Sequence, residues 1–206
     1  KELFENLVEL GQHPKEMADT VTVMEKIGHF LDDAVTDLYQ DCKNEGLNKR
    51  EASPVIAERL NVAKILRRAA KNLDGGYAMA GLLGHGDAFV FRDPAGIRPA
   101  YFYQDDEIVV VASERPVIQT VFNVPFEKVH EIDPGAALII KKNGTVSMQE
   151  ILPAITKKAC SFERIYFSRG SDAWIYKERK MLCILVLPAV LETIDYDTDI
   201  TVFSYI

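Results

Sequence analysis

Cysteine is scarce in this 206-residue chain: Cys42, Cys160 and Cys183 are odd in number, far apart and never paired as C-x-x-C. That excludes a disulfide framework and suits a reduced, cytoplasmic setting. No block of Lys and Arg interrupts a formal net charge of −7, which argues against a nucleic-acid-binding surface. Long apolar runs are also missing. The longest, residues 181–191, is broken by Pro188 and has about half the length of a membrane-spanning helix, so it is expected to be a buried helix. Several chemical signatures are absent as well: H-E-x-x-H, G-x-S-x-G, the phosphate-binding G-x-x-x-x-G-K-[ST] and the dinucleotide-binding G-x-G-x-x-G. His13, His29, His85 and His130 are scattered, and each reads as a structural histidine.

What is present is the composition of a globular protein, 48% apolar and 27% charged. Apolar residues recur at helical spacing over residues 3–10 and again from Val21 to about residue 42. Residues 43–51 are polar and predict a loop. Ser53 and Pro54 then look like an N-cap and a first helical position, opening a helix to about residue 73. From Gly75 the period changes to short strands separated by Gly, Pro or acidic turns, with a short helix opened by Ser113-Glu114-Arg115-Pro116 and ending near Phe122. A longer helix is expected over about 174–194, and a strand over 201–206. Strands and helices segregated in this way predict an α+β fold. The change in character places a boundary near 150–160, giving segments 1–152 and 153–206. Starting on Lys1 and stopping inside a strand-like run is the pattern expected of a piece of a longer protein.

The most informative stretch is Arg92-Asp93-Pro94-Ala95-Gly96-Ile97-Arg98-Pro99. Pro94 and Pro99 fix φ and remove backbone donors, while Gly96 can take φ > 0. Strand-like aromatic runs flank it on both sides. Two arginines and an aspartate inside the bend indicate a built corner, more than a plain hairpin requires.

With Asp74-Gly75-Gly76-Tyr77-Ala78, Gly84-His85-Gly86, Val111-Ala112-Ser113-Glu114 and Asp133-Pro134-Gly135, this corner resembles the second half of a class II glutamine amidotransferase domain. The resemblance implies a four-layer αββα sandwich of the N-terminal nucleophile hydrolase type, here partial. Residues 160–169 (Cys-Ser-Phe-Glu-Arg-Ile-Tyr-Phe-Ser-Arg) look like the segment that follows this domain in the amidophosphoribosyltransferase family. Members of that family make 5-phosphoribosylamine from glutamine and phosphoribosyl pyrophosphate, the first step of de novo purine synthesis. On this resemblance, residues 153–206 are a linker helix and the first strand of a phosphoribosyltransferase domain. Glucosamine-phosphate or asparagine synthases, or a non-catalytic scaffold of the same fold, are the competing readings.

The resemblance also assigns roles. The catalytic cysteine, the Asn-Gly oxyanion donors and the glutamine-carboxylate arginine belong upstream of Lys1, so no catalytic residue is expected in this chain. Asp19 aligns with the aspartate that receives the α-ammonium of glutamine; capping the helix is its other available role. Arg92, Asp93, Gly96 and Arg98 are expected to lock a corner behind the active site. Tyr166 aligns with a tyrosine on the ammonia path between the two active sites, or is a packed aromatic. Cys160 matches an iron–sulfur ligand in the cluster-bearing branch, or is a buried thiol; a [4Fe–4S] cluster needs four such ligands. Mg²⁺ with phosphoribosyl pyrophosphate would bind in the absent domain, and the whole protein is expected to be a homo-oligomer. After Arg169 the chain departs from the family pattern, with Gly170-Ser171-Asp172 in place of Pro-Asp-Ser and Cys183 in place of glycine.

Overall fold

In the computed structural model, which describes residues 2–199, the helical first third is present as α1 (Glu2–Glu9), α2 (Asp19–Asn44), α3 (Lys49–Arg59) and α4 (Val62–Ala70). The expected helix from Ser53 is corrected in two ways. α3 starts earlier because Asn48 and Glu51 form a capping box: Asn48 Oδ1 accepts from the Arg50 and Glu51 N–H groups, and the Asn48 N–H donates to Glu51 Oε2. Pro54 therefore lies inside α3, at the cost of one backbone hydrogen bond. The helix also breaks at Leu60, whose backbone is extended, and Asn61 recaps α4 by accepting from the Lys64 N–H at 2.9 Å. The strand expected at 201–206 lies outside the described residues.

The chain is mixed α+β with antiparallel sheets and divides into two compact units. The first comprises the residues up to Gly96 and Asp133–Lys157. Its sheet has the order β1 (Ala78–Leu82), β2 (Ala88–Arg92), β6 (Ala136–Ile140), β7 (Val146–Glu150), all antiparallel. Register places Phe91 opposite Met79 and Ala137, and Phe89 opposite Ile139. These side chains meet Val62, Ala63, Leu66 and Ala70 of α4, a helical stripe that buries the main core. The alternate residues on the sheet's other face are also apolar. Val90 and Leu138 are buried there, while Leu82 on the edge strand β1 is 79% exposed.

The second unit comprises Ile97–Ile132 and the residues from Lys158 on. Its sheet has the order β4 (Val109–Ala112), β3 (Tyr101–Gln104), β5 (His130–Glu131), with α5 (Arg115–Phe122) packed on β3 and β4 through Ile118. A 3₁₀ turn, Phe126–Lys128, precedes β5. Asp172 caps α6 (Ala173–Thr193), accepting from the Trp174 N–H at 2.8 Å and the Ile175 N–H at 3.2 Å. The expectation that residues 181–191 form a buried helix is overturned. The helix forms, but Leu185, Val186 and Leu187 are each more than half exposed. An apolar run makes burial favourable without supplying a partner, and this run is apolar on all sides, with no stripe to orient it.

Candidate functional site

The corner begins where β2 ends. Arg92 and Asp93 are both fully buried, and the bend turns back over them. Arg92 Nη2 donates to the Gly96 carbonyl at 3.1 Å. Asp93 Oδ1 accepts from the Ala95 N–H at 3.1 Å, and Oδ2 from the Tyr77 N–H at 3.3 Å. Its backbone carbonyl receives the N–H groups of Gly96 and Gly135, while its own N–H donates to Tyr77 O. Pro94 O accepts from the Ile155 N–H at 2.9 Å. Charged side chains tolerate such burial only when their hydrogen-bonding capacity is met.

Two glycines allow the chain to close around these groups. Gly96 has φ +60°, and a Cβ there would stand 3.0 Å from the Pro134 ring. Gly135 has φ +74°, and a Cβ there would lie 2.3 Å from the Leu152 carbonyl oxygen, closer than any side chain permits. Tyr77 packs on Phe91 with ring centroids 5.2 Å apart. Its hydroxyl is buried without a hydrogen-bond partner among the described residues. Burial, reinforced by the negative charge of Asp93, pushes that phenol well above the usual tyrosine range.

Asp19 is the first residue of α2 and is exposed. Ala18 is the N-cap, with no side-chain cap hydrogen bond, so Asp19 is not the capping residue. Its carboxylate stands in the first turn, where the helix dipole favours negative charge.

Arg98 differs from Arg92. The chain enters the second unit at Ile97, and the half-exposed Arg98 guanidinium pairs with Glu163 and lies 5.9 Å from the Phe167 ring centroid. Glu163–Phe167 is a π-helical turn that carries Tyr166, which is 77% exposed and edge-on to Phe167. Cys160 is half-buried, and its N–H donates to Ile97 O at 3.3 Å. Among the described residues no group of three His, Cys, Asp or Glu is placed to hold a metal ion. Three cysteines cannot complete a four-thiolate cluster, so residues 1–206 do not by themselves fit one.

Other clusters carried no sequence signal. Asp87, buried at the foot of the β1–β2 turn, pairs with Lys141, accepts from the Lys142 N–H at 2.9 Å and has His85 Nε2 3.0 Å away. Burial alone would raise the Asp87 carboxyl, but these partners outweigh it and hold it below its usual value. A cleft of about 540 Å³ lies beside this cluster, lined by Leu31, Val35, Tyr39, Ile56, Leu60 and His85 among others. None of the residues singled out for chemistry lines it. In the second unit Arg115 lies between Tyr101 and Phe126, 4.7 and 4.3 Å from their ring centroids, with Asp172 at 3.8 Å. Three aromatic and acidic partners from separate segments cannot be read from a lone arginine.

No family model matches the chain. It is similar over part of its length to curated amidophosphoribosyltransferases. The Saccharomyces cerevisiae enzyme is 36% identical over 103 residues, 46% of this chain and 20% of the relative. The Pasteurella multocida enzyme is 32% identical over 114 residues, covering 53% and 22%, and the Escherichia coli enzyme is 30% identical over 123 residues, covering 57% and 23%. The aligned stretches thus span about a fifth to a quarter of these relatives' lengths. A solved structure of glutamine phosphoribosylpyrophosphate amidotransferase from B. subtilis, complexed with ADP and GMP, is 27% identical, with a TM-score of 0.46. That likeness covers 65% of this chain and 30% of the solved one. The chain is therefore distantly and partially related to the amidophosphoribosyltransferases. No helix among the described residues is long and apolar enough to cross a membrane.

Proposed function

We propose that this chain is part of a class II glutamine amidotransferase. More particularly, it is a piece of an amidophosphoribosyltransferase, which forms 5-phosphoribosylamine from glutamine-derived ammonia and phosphoribosyl pyrophosphate. The observation that carries this reading is the partial similarity, at 30–36% identity, to curated amidophosphoribosyltransferases. The sheet of the first unit supports it physically. With apolar residues on both faces it needs a packing layer on each, and an αββα sandwich supplies both.

In this reading residues 1–152 are the second part of the glutaminase domain, and 153–206 are the linker and start of the phosphoribosyltransferase domain. Asp19 binds the α-ammonium of glutamine; its exposed carboxylate, not spent on capping α2, is free for that role. Arg92, Asp93 and Gly96 shape the wall behind the glutamine site without touching substrate, and Tyr166 borders the ammonia path. The nucleophilic cysteine, and the Mg²⁺ and phosphoribosyl pyrophosphate site, lie in other parts of the protein, which acts as a cytoplasmic homo-oligomer. The three free thiols suit that reducing compartment.

Phosphoribosylamine formation by the longer protein tests the reading. It should proceed with glutamine or with ammonia, whereas residues 1–206 alone should hydrolyse no glutamine. A longer protein that consumes glutamine but transfers nitrogen to another acceptor would overturn it.

A further inference from the structure

We propose that Arg98 is a positioning residue for the Glu163–Phe167 turn, and through it for Tyr166. The functional half of this inference rests on the placement of Tyr166 proposed above; the positioning half stands on geometry alone.

A π-helical turn is a rare and poorly self-supporting backbone, held internally here by the Ser168 N–H donating to Glu163 O at 2.8 Å. Such a turn needs support from outside, and it receives support from two directions. From α6, Arg179 donates through Nε to Arg164 O at 2.9 Å and through Nη2 to Ser168 O at 2.6 Å, while Glu178 pairs with Arg164. Those contacts fix the backbone and the face toward α6.

Arg98 fixes the remainder. Its guanidinium reaches both the first and the last residue of the turn, as an ion pair with Glu163 and as a cation over Phe167. The Glu163 side chain is only 12% exposed, so its charge requires a partner there. The guanidinium is planar and permanently charged, so it can pair with a carboxylate while lying near a ring, a combination that suits it better than a compact, strongly hydrated ammonium. One residue earlier, Ile97 O receives the Cys160 N–H, so the same segment also steers the chain into the turn. Tyr166 lies between the two residues that Arg98 touches, and its ring is oriented edge-on against Phe167. Although only six positions apart, Arg92 closes a buried bend, whereas Arg98 reaches out of the bend to hold another segment.

Amide hydrogen exchange on the 206-residue chain tests the positioning. In Arg98→Met, exchange at the Ser168 amide should rise by about tenfold, with Glu163→Gln giving a smaller rise. Amides of β2 and β6 should be unchanged, which separates a released turn from a general loss of fold. Arg98→Lys should fall between wild type and Arg98→Met. Unchanged Ser168 protection in Arg98→Met, with β2 and β6 intact, would overturn the proposal. In the longer protein, Arg98→Met should raise the glutamine consumed per phosphoribosylamine formed and leave ammonia-supported synthesis unchanged. Faster exchange with an unaltered ratio would remove Tyr166 from the ammonia path and leave the hold of Arg98 on the turn in place.

Discussion

The bend at residues 92–96 and the segment at residues 162–191 treat polar and apolar surface in opposite ways. The bend buries an arginine and an aspartate and satisfies them with backbone groups, whereas the later segment leaves Phe162, Tyr166, Trp174 and the apolar half of α6 in solvent. A buried polar corner is a finished structure, because removing any part orphans the rest. An exposed apolar helix is stable as a helix and incomplete as a surface. The difference separates residues that maintain this fold from residues available to something outside it.

The contrast can be broken by substitution. Asp93→Ala should produce the largest effect, about 3 kcal/mol or more, because it strips acceptors from a buried and a partly buried N–H group beside a buried arginine. Denaturant unfolding checks this, and a loss below about 1 kcal/mol would place the corner with ordinary surface turns. Gly135→Ala should cost about 2 kcal/mol, combining a left-handed backbone with a Cβ against the Leu152 carbonyl.

A pH effect of intermediate size comes from the Asp87 cluster. Its carboxyl is depressed in the folded chain, so its stabilising contribution is present above the unfolded value, near 4. That contribution is lost as pH falls through the lower folded value. Lys141→Met removes the main opposing charge and should flatten this part of the acid limb. The difference between wild-type and variant unfolding free energies, followed from pH 7 to about pH 2, reads it out. A constant difference across that range would dissociate Lys141 from the Asp87 titration.

At the small end, Leu185→Gln on α6 should change the stability of this chain by no more than about 0.5 kcal/mol, since the side chain is already 69% exposed. A loss of about 2 kcal/mol or more would mean that α6 is buried in solution and that the contrast does not hold.

Much of this fold was legible because the signals were local. Gly, Pro and acidic turns between strand-like runs marked β1, β2 and β6, residues 113–116 marked the start of α5, and Gly96 and Gly135 marked the tight bends. The helix at 53–73 was misplaced because Ser53-Pro54 is a plausible cap that lost to the Asn48–Glu51 capping box, and because the Leu60 break carries no glycine or proline. The exposure of α6 could not be read, since an apolar run states a preference without naming what will satisfy it. Arg92 and Arg98 looked equivalent in sequence; only the path of the chain assigns one to a buried carbonyl and the other to Glu163. Lys141, 54 positions from Asp87, had no pattern to tie it to that carboxylate.

Glutamine saturation kinetics of Asp19→Ala in the longer protein test the proposed function most directly. If Asp19 receives the α-ammonium of glutamine, KM for glutamine should rise by about tenfold or more, with ammonia-supported phosphoribosylamine synthesis unchanged. An unaltered KM for glutamine in a folded, ammonia-active variant would contradict the account.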